Sequence, residues 1–136
     1  MYNRYKQSSL QSLTVNQQIS IVLKNINQQL QTSDDLFRNF QIAESIEIGE
    51  KCIYKAIALS DIMDGYINRS LEEPQTDDVK DGLKSLQCHF IHLHQTVNQY
   101  MVNRDKELLE RIIKNLEAME KFWKELTPPV PENNEN

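Results

Sequence analysis

Residues 79–100 read VKDGLKSLQCHFIHLHQTVNQY. Val79, Leu83, Leu86, Phe90, Leu93, Val97 and Tyr100 recur there in alternating steps of four and three. That is the period of one face of an α-helix; a half-buried strand would place its apolar residues at every second position. A helix with one apolar stripe needs partners to cover it, so the rest of the chain must supply them.

The neighbouring segments do so. Pro74 closes what precedes, and Thr76-Asp77-Asp78 caps the helix, the two aspartates suiting its positive end. Asn103-Arg104-Asp105 makes a tight connection, and Leu109, Ile112, Leu116, Met119, Trp123 and Leu126 repeat the rhythm in a last helix. Upstream, Thr14-Val15-Asn16-Gln17 fits a capping box, followed by Ile19, Leu23, Ile26 and Leu30 at helical spacing. Thr32-Ser33-Asp34-Asp35 forms a second capping cluster. From Leu36 to Ile67 the helical pattern runs on, with Gly49 as a candidate interruption. A helix that long is unusual in a small domain, so a bend or boundary is expected near Thr32–Asp35 or near Gly49.

Long amphipathic helices joined by short connections predict an all-α, antiparallel up-down bundle of about four helices. The bundle spans residues 14–126, after a flexible arm (1–13) and before a disordered polar tail (127–136), TPPVPENNEN from Thr127 on. Composition agrees: 136 residues make one domain, and three glycines with four prolines are too few for the turns of an all-β chain. A net charge of −5 without a basic stripe gives no reason to expect nucleic acid. No apolar run approaches membrane-spanning length and no leader opens the chain, which predicts a cytoplasmic protein with no membrane partner. Cys52 and Cys88 make no disulfide framework.

Three histidines and a cysteine crowd into Gln87–His94. Each helical residue turns by about 100°, which sets Cys88 and His92 nearly opposite the apolar stripe and His89 and His94 on its two flanks. A zinc site needs three or four converging ligands; these diverge, so no metal or other cofactor is expected. Cys88–His92 as a nucleophile pair would lack an oxyanion hole and a pocket. Glu44, Glu47 and Glu50 share part of a face, without the Glu-x-x-His of a di-iron bundle. No catalytic residue is assigned, and a protein that works by its surfaces is expected rather than an enzyme.

The apolar residues of the second long segment fall in two stripes. Ile42, Ile46, Ile53, Ile57, Ser60 and Ile67 form one; Ile48, Cys52, Leu59, Ile62 and Tyr66 form the other, about 130° away. Either this helix touches two neighbours, or the second stripe lines a groove for a partner's amphipathic helix. Ile21, Ile91, Ile113 and Phe122 also lie outside the main stripes and together would make a docking patch.

This layout resembles the flagellar secretion chaperone (FliS) family. The resemblance covers roughly residues 5–126 and rests on Tyr5-Lys6-Gln7 in a short arm and Thr14-Val15-Asn16-Gln17-Gln18-Ile19 opening the first helix. Lys55-Ala56 followed by Ile62, Asn103-Arg104-Asp105, and a last helix from Leu108 to Leu126 with Trp123 complete it. Lys24-Asn25-Ile26 stands where the family has an aromatic-Asp-Gly, and Leu71–Gln75 replaces its Gly-Gly turn. The resemblance implies a cytoplasmic export chaperone that holds the C-terminal amphipathic segment of flagellin, or of a related exported subunit, and prevents premature polymerisation. It also implies contact with the flagellar export apparatus, and an N-terminal arm whose Tyr5 covers part of the empty groove. The partner-binding residues expected are Tyr5, Ile21, Leu23, Ile48, Leu59, Ile62, Tyr66, Ile91, Ile113 and Phe122. A homodimeric structural or regulatory bundle is the competing reading.

Overall fold

The computed structural model describes residues 15–125. They form four α-helices: α1 (Val15–Arg38), α2 (Ile42–Leu71), α3 (Asp77–Asn103) and α4 (Lys106–Glu125). The arm, Thr14 of the capping box, Tyr5, Leu126 and the tail lie outside the described residues.

Cross-helix bonds fix the topology. Near the first connection Ser33 bonds Ser45, and farther along the Cys52 thiol donates to the Ile26 carbonyl, so α1 and α2 run antiparallel. Gln87 bonds Asn68 close to the second connection, while Met101 meets Gly49 at the other end of α3. The Ser20 hydroxyl donates to the Glu120 carbonyl and Lys106 pairs with Asp34, which sets α4 antiparallel to α1. The helices therefore close into an up-down bundle in which α1 and α2 are the best-packed pair and α3 and α4 meet most thinly.

The 3.6-residue period chose the buried faces of three helices as expected. Ile19, Leu23, Ile26 and Leu30 of α1 are buried, as are Phe90, Leu93, Val97 and Tyr100 of α3 and Leu109, Ile112, Leu116 and Trp123 of α4. Val79, in the first turn of α3, is exposed, because the helix runs past the core there. Thr76 caps α3 as predicted, its hydroxyl accepting from the Val79 amide at 3.3 Å.

The seam of α2 differs from both expected stripes. Ser45, Gly49, Cys52, Ala56, Leu59, Ser60, Met63 and Ile67 are buried, and that line runs between the two stripes. Much of it is small, which lets neighbouring backbones approach; an alternation of large apolar residues could not reveal it. The two stripes are the flanks of α2, one turned to α1 and the other to α3. α2 is thus the helix that touches two neighbours.

The first helix boundary also falls elsewhere than expected. α1 continues through Thr32–Asp35 and α2 through Gly49, and the break comes at Asn39–Gln41. Phe40 N–H donates to the Phe37 carbonyl and Gln41 N–H to that of Leu36, the Schellman pattern that satisfies the last carbonyls of a helix. Its left-handed position is taken by Phe40, with φ 63° and a side chain 89% exposed, where glycine is usual. Thr32, Ser33 and Asp34 cap nothing: Thr32 bonds back to the Gln28 carbonyl, Ser33 bonds Ser45, and Asp34 is tied to α3 and α4.

Candidate functional site

The histidines do not converge. His89 and His92 border a groove between α3 and α4, together with Thr96, Asn115 and Met119, whereas His94 lies on the opposite flank of α3, and Cys88 is exposed. Among the described residues no three His, Cys, Asp or Glu side chains are placed to hold a metal ion. The same groove continues over Gln99, Asn103 and Arg111, a polar lining that offers an amphipathic partner little to bury. Cys52 is no nucleophile either. Burial pushes its thiol up to about 12, the charge of Lys55 opposing only in part, so at neutral pH the thiolate is absent.

Asp34 carries the most elaborate electrostatics, and its arrangement is structural. It is 2% exposed and accepts hydrogen bonds from the Tyr100 hydroxyl, from Lys106 Nζ at 3.0 Å and from Arg38 Nε at 3.2 Å. Burial alone would raise its pKa; the hydrogen bonds from Tyr100 and Lys106 and the charges of Lys106 and Arg38 outweigh it and hold the carboxyl below its ordinary value. Tyr100 is pushed up to about 12 by burial and by Asp34. Arg104 stacks on Phe37, its guanidinium carbon 4.5 Å from the ring centroid, and its carbonyl accepts from Arg38. One end of the bundle is thereby latched, with both carboxylate oxygens of Asp34 engaged.

The open apolar feature is a groove of about 400 Å³ between α1 and α2. Ile21 and Val22 come from α1; Ala58, Leu59 and Ile62 come from α2. Lys55 Nζ donates across it to Asn25 Oδ1, tying the two walls. The register follows from the antiparallel pairing, which carries residues 21–25 of α1 past residues 55–62 of α2. Ile21 is 48% exposed and Ile62 66%, and Tyr66, one turn beyond Ile62, is exposed as well. Large apolar groups left in water along a groove favour whatever covers them, at about 25 cal/mol for each Å² removed from solvent.

Of the expected partner-binding residues, the groove unites Ile21, Leu59 and Ile62, with Ile48 and Tyr66 on the same flank of α2. Leu59 is buried at its floor. Leu23 is a correction: it has no exposed surface, because it occupies the central position of the α1 core stripe, and cannot reach a partner. Ile91 lies on the α2-facing flank of α3. Ile113 packs against the core, and Phe122 stands edge-on to Trp123 on α4, outside the α1–α2 pair, with ring centroids 5.7 Å apart. These three do not join the groove. Val22, Asn25, Ala58 and Lys55 do join it and were not anticipated as site residues; the polar pair and the alanine carry no hydrophobic signal that periodicity could register. Ile42, Ile46 and Ile57, of the first stripe, are partly exposed on the other flank of α2.

No family model matches this chain, and neither curated proteins nor solved structures provide a match. Among the described residues, no helix is long and apolar enough to cross a membrane.

Proposed function

We propose that this protein is an export chaperone: a non-enzymatic bundle that binds an amphipathic segment of an exported subunit and keeps it from assembling early. The observation that carries the reading is the α1–α2 groove, where Ile21 and Ile62 stay in water although the core beside them is complete. A segment that would otherwise bury its apolar face against copies of itself would bury it here first. Each anchor covered contributes about 1.5–3 kcal/mol, so a few offset the cost of ordering a disordered segment. The resemblance in helix order and motifs makes the C-terminal segment of flagellin the first partner to test, and a cytoplasmic location follows from that role.

The test is titration of the protein with a peptide of that flagellin segment by calorimetry, repeated with Ile62→Asp. The reading expects one-to-one binding with a negative heat-capacity change, weakened at least tenfold by the substitution. Absence of binding, or binding indifferent to Ile62, would remove flagellin from this groove.

A homodimer is the second reading, favoured by Ile42, Ile46 and Ile57 on the other flank of α2. Light scattering separates the two: a tight dimer that Ile46→Asp dissolves supports this reading, and a monomer supports the chaperone.

A further inference from the structure

α3 and α4 are the neighbouring helices that touch least, and the groove between them changes character along its length. Toward the end of α4 it is lined by Ala118 and Met119, beside the buried Leu93 and Ile112. Phe122, half exposed and one turn past Ala118, extends that apolar part by helical rotation. Farther back the lining is polar, with Gln99 and Asn103 from α3 and Arg111 and Asn115 from α4. Among the described residues these four side chains bond no other group, and Arg111 has no carboxylate within salt-bridge distance. Asp105 lines the far end, but its carboxylate accepts from the Glu107 amide and caps α4. Glu107 and Lys114, each about one turn from Arg111, lie outside the lining.

Residues 126–136, LTPPVPENNEN, follow α4 and run in the same order, apolar and proline-rich first, then acidic and amide. Thr127 precedes Pro128, and a residue before proline disfavours the helical conformation, so the sequence favours a turn off the α4 axis there. Pro128, Pro129 and Pro131 carry no N–H, so they can cover an apolar surface without stranding a donor. Counting back from Glu125, Met119 lies about 9 Å along the helix and Arg111 about 21 Å. An extended chain covers about 3.3 Å per residue, so Val130 reaches about 16 Å from Glu125 and Glu135 about 33 Å.

We propose that residues 126–136 fold back along α4 into the α3–α4 groove. Pro129, Val130 and Pro131 cover Ala118 and Met119, and the carboxylate of Glu132 or Glu135 pairs with Arg111 among the unbonded amides. An amphipathic helix would set its apolar face on the polar half of this groove, whereas this segment meets each half in kind. Attachment to α4 holds the segment at a millimolar-range effective concentration, so a few weak contacts suffice. This contact is independent of the α1–α2 groove and of the chaperone reading.

Backbone nitrogen relaxation of the full chain, measured by NMR at low protein concentration and low salt, provides the test. Order parameters above about 0.6 are expected from Val130 to Glu135, where a free segment gives lower values. Arg111→Glu should drop them below that level, and so should Glu132→Arg with Glu135→Arg. The three substitutions combined should restore them, because the charges are exchanged. Added salt should lower the order of the parent and of the exchanged chain alike. Arg111 is exposed, so its substitution spares the core, and circular dichroism confirms the fold of each variant. Low order parameters in the parent overturn the proposal. Order that survives Arg111→Glu but is lost in Val130→Asp overturns the charge pairing and leaves the apolar half of the contact. Order that appears only as concentration rises assigns the groove to the same segment of a second copy and overturns the folding back.

Discussion

The thioether of Met101 fills the space that a β-carbon on Gly49 would need: an ideal Cβ there would stand 2.0 Å from its methyl carbon and 2.5 Å from its sulfur. Gly49 is therefore a contact point between α2 and α3, and it breaks neither helix. Met101 is half-buried with a flexible end, so a methyl group can displace it. Gly49→Ala is expected within about 1 kcal/mol of the parent, since helix propensity gained offsets the shift. Gly49→Leu should cost about 2–3 kcal/mol through overpacking, and Met101→Ala in that background should recover part of it. Urea denaturation of the single and double variants measures both effects.

Phe40 holds a left-handed conformation that a β-carbon disfavours by about 1–2 kcal/mol, and its ring is in solvent. Phe40→Gly relieves that cost while adding freedom to the unfolded chain. A net gain of about 0.5–1 kcal/mol is expected, seen as a melting point higher by roughly 2–4 °C. A lower melting point would mean that the aromatic ring makes a stabilising contact.

The Asp34 latch makes stability acid-sensitive in a defined direction. Its folded pKa lies below the unfolded value, so the carboxylate stabilises the fold fully above the unfolded pKa of about 3.9. That contribution is lost as pH falls through the lower, folded pKa. Stability should show little Asp34-dependent change between pH 7 and 5 and then decline in acid. Asp34→Asn should cost about 2–3 kcal/mol at pH 7, because the amide cannot accept from Tyr100, Lys106 and Arg38 together. The difference between parent and variant should shrink toward pH 2. Denaturant midpoints across that range decide it, and a constant difference would exclude the latch.

Ile62 separates binding from folding. It is two-thirds exposed, so Ile62→Asp should shift stability by no more than about 0.5 kcal/mol. Leu23→Ala, by contrast, empties a core position and should cost about 2–5 kcal/mol. A partner that Ile62→Asp releases, while the melting point holds, is bound at the α1–α2 groove. Thermal melts run alongside peptide titrations supply both readings.

Much of the architecture was legible in the chain. The stripes of α1, α3 and α4 consist of large apolar residues at helical spacing, and hydrophobicity alone orients them. The Thr76 cap was readable because its hydroxyl has a local amide to satisfy. Thr32–Asp35 looked the same locally, yet the Ser33 hydroxyl and the Asp34 carboxylate are claimed by partners on α2, α3 and α4. Such bonds are invisible to any window of sequence. The boundary at Phe40 was hidden for a related reason: the left-handed position carries no glycine to mark it.

The sequence by itself determined that four amphipathic helices would pack antiparallel, since each apolar stripe must leave water and each connection is short. It also showed that α2 is apolar on more than one side. Only the tertiary structure decided which side is inside. The seam went to the small residues Ser45, Gly49, Cys52, Ala56 and Ser60, because close approach of two neighbouring helices gains more packing than burying the bulkier flanks. That choice leaves Ile21 and Ile62 facing each other across a shallow groove, with Lys55 bridging its walls.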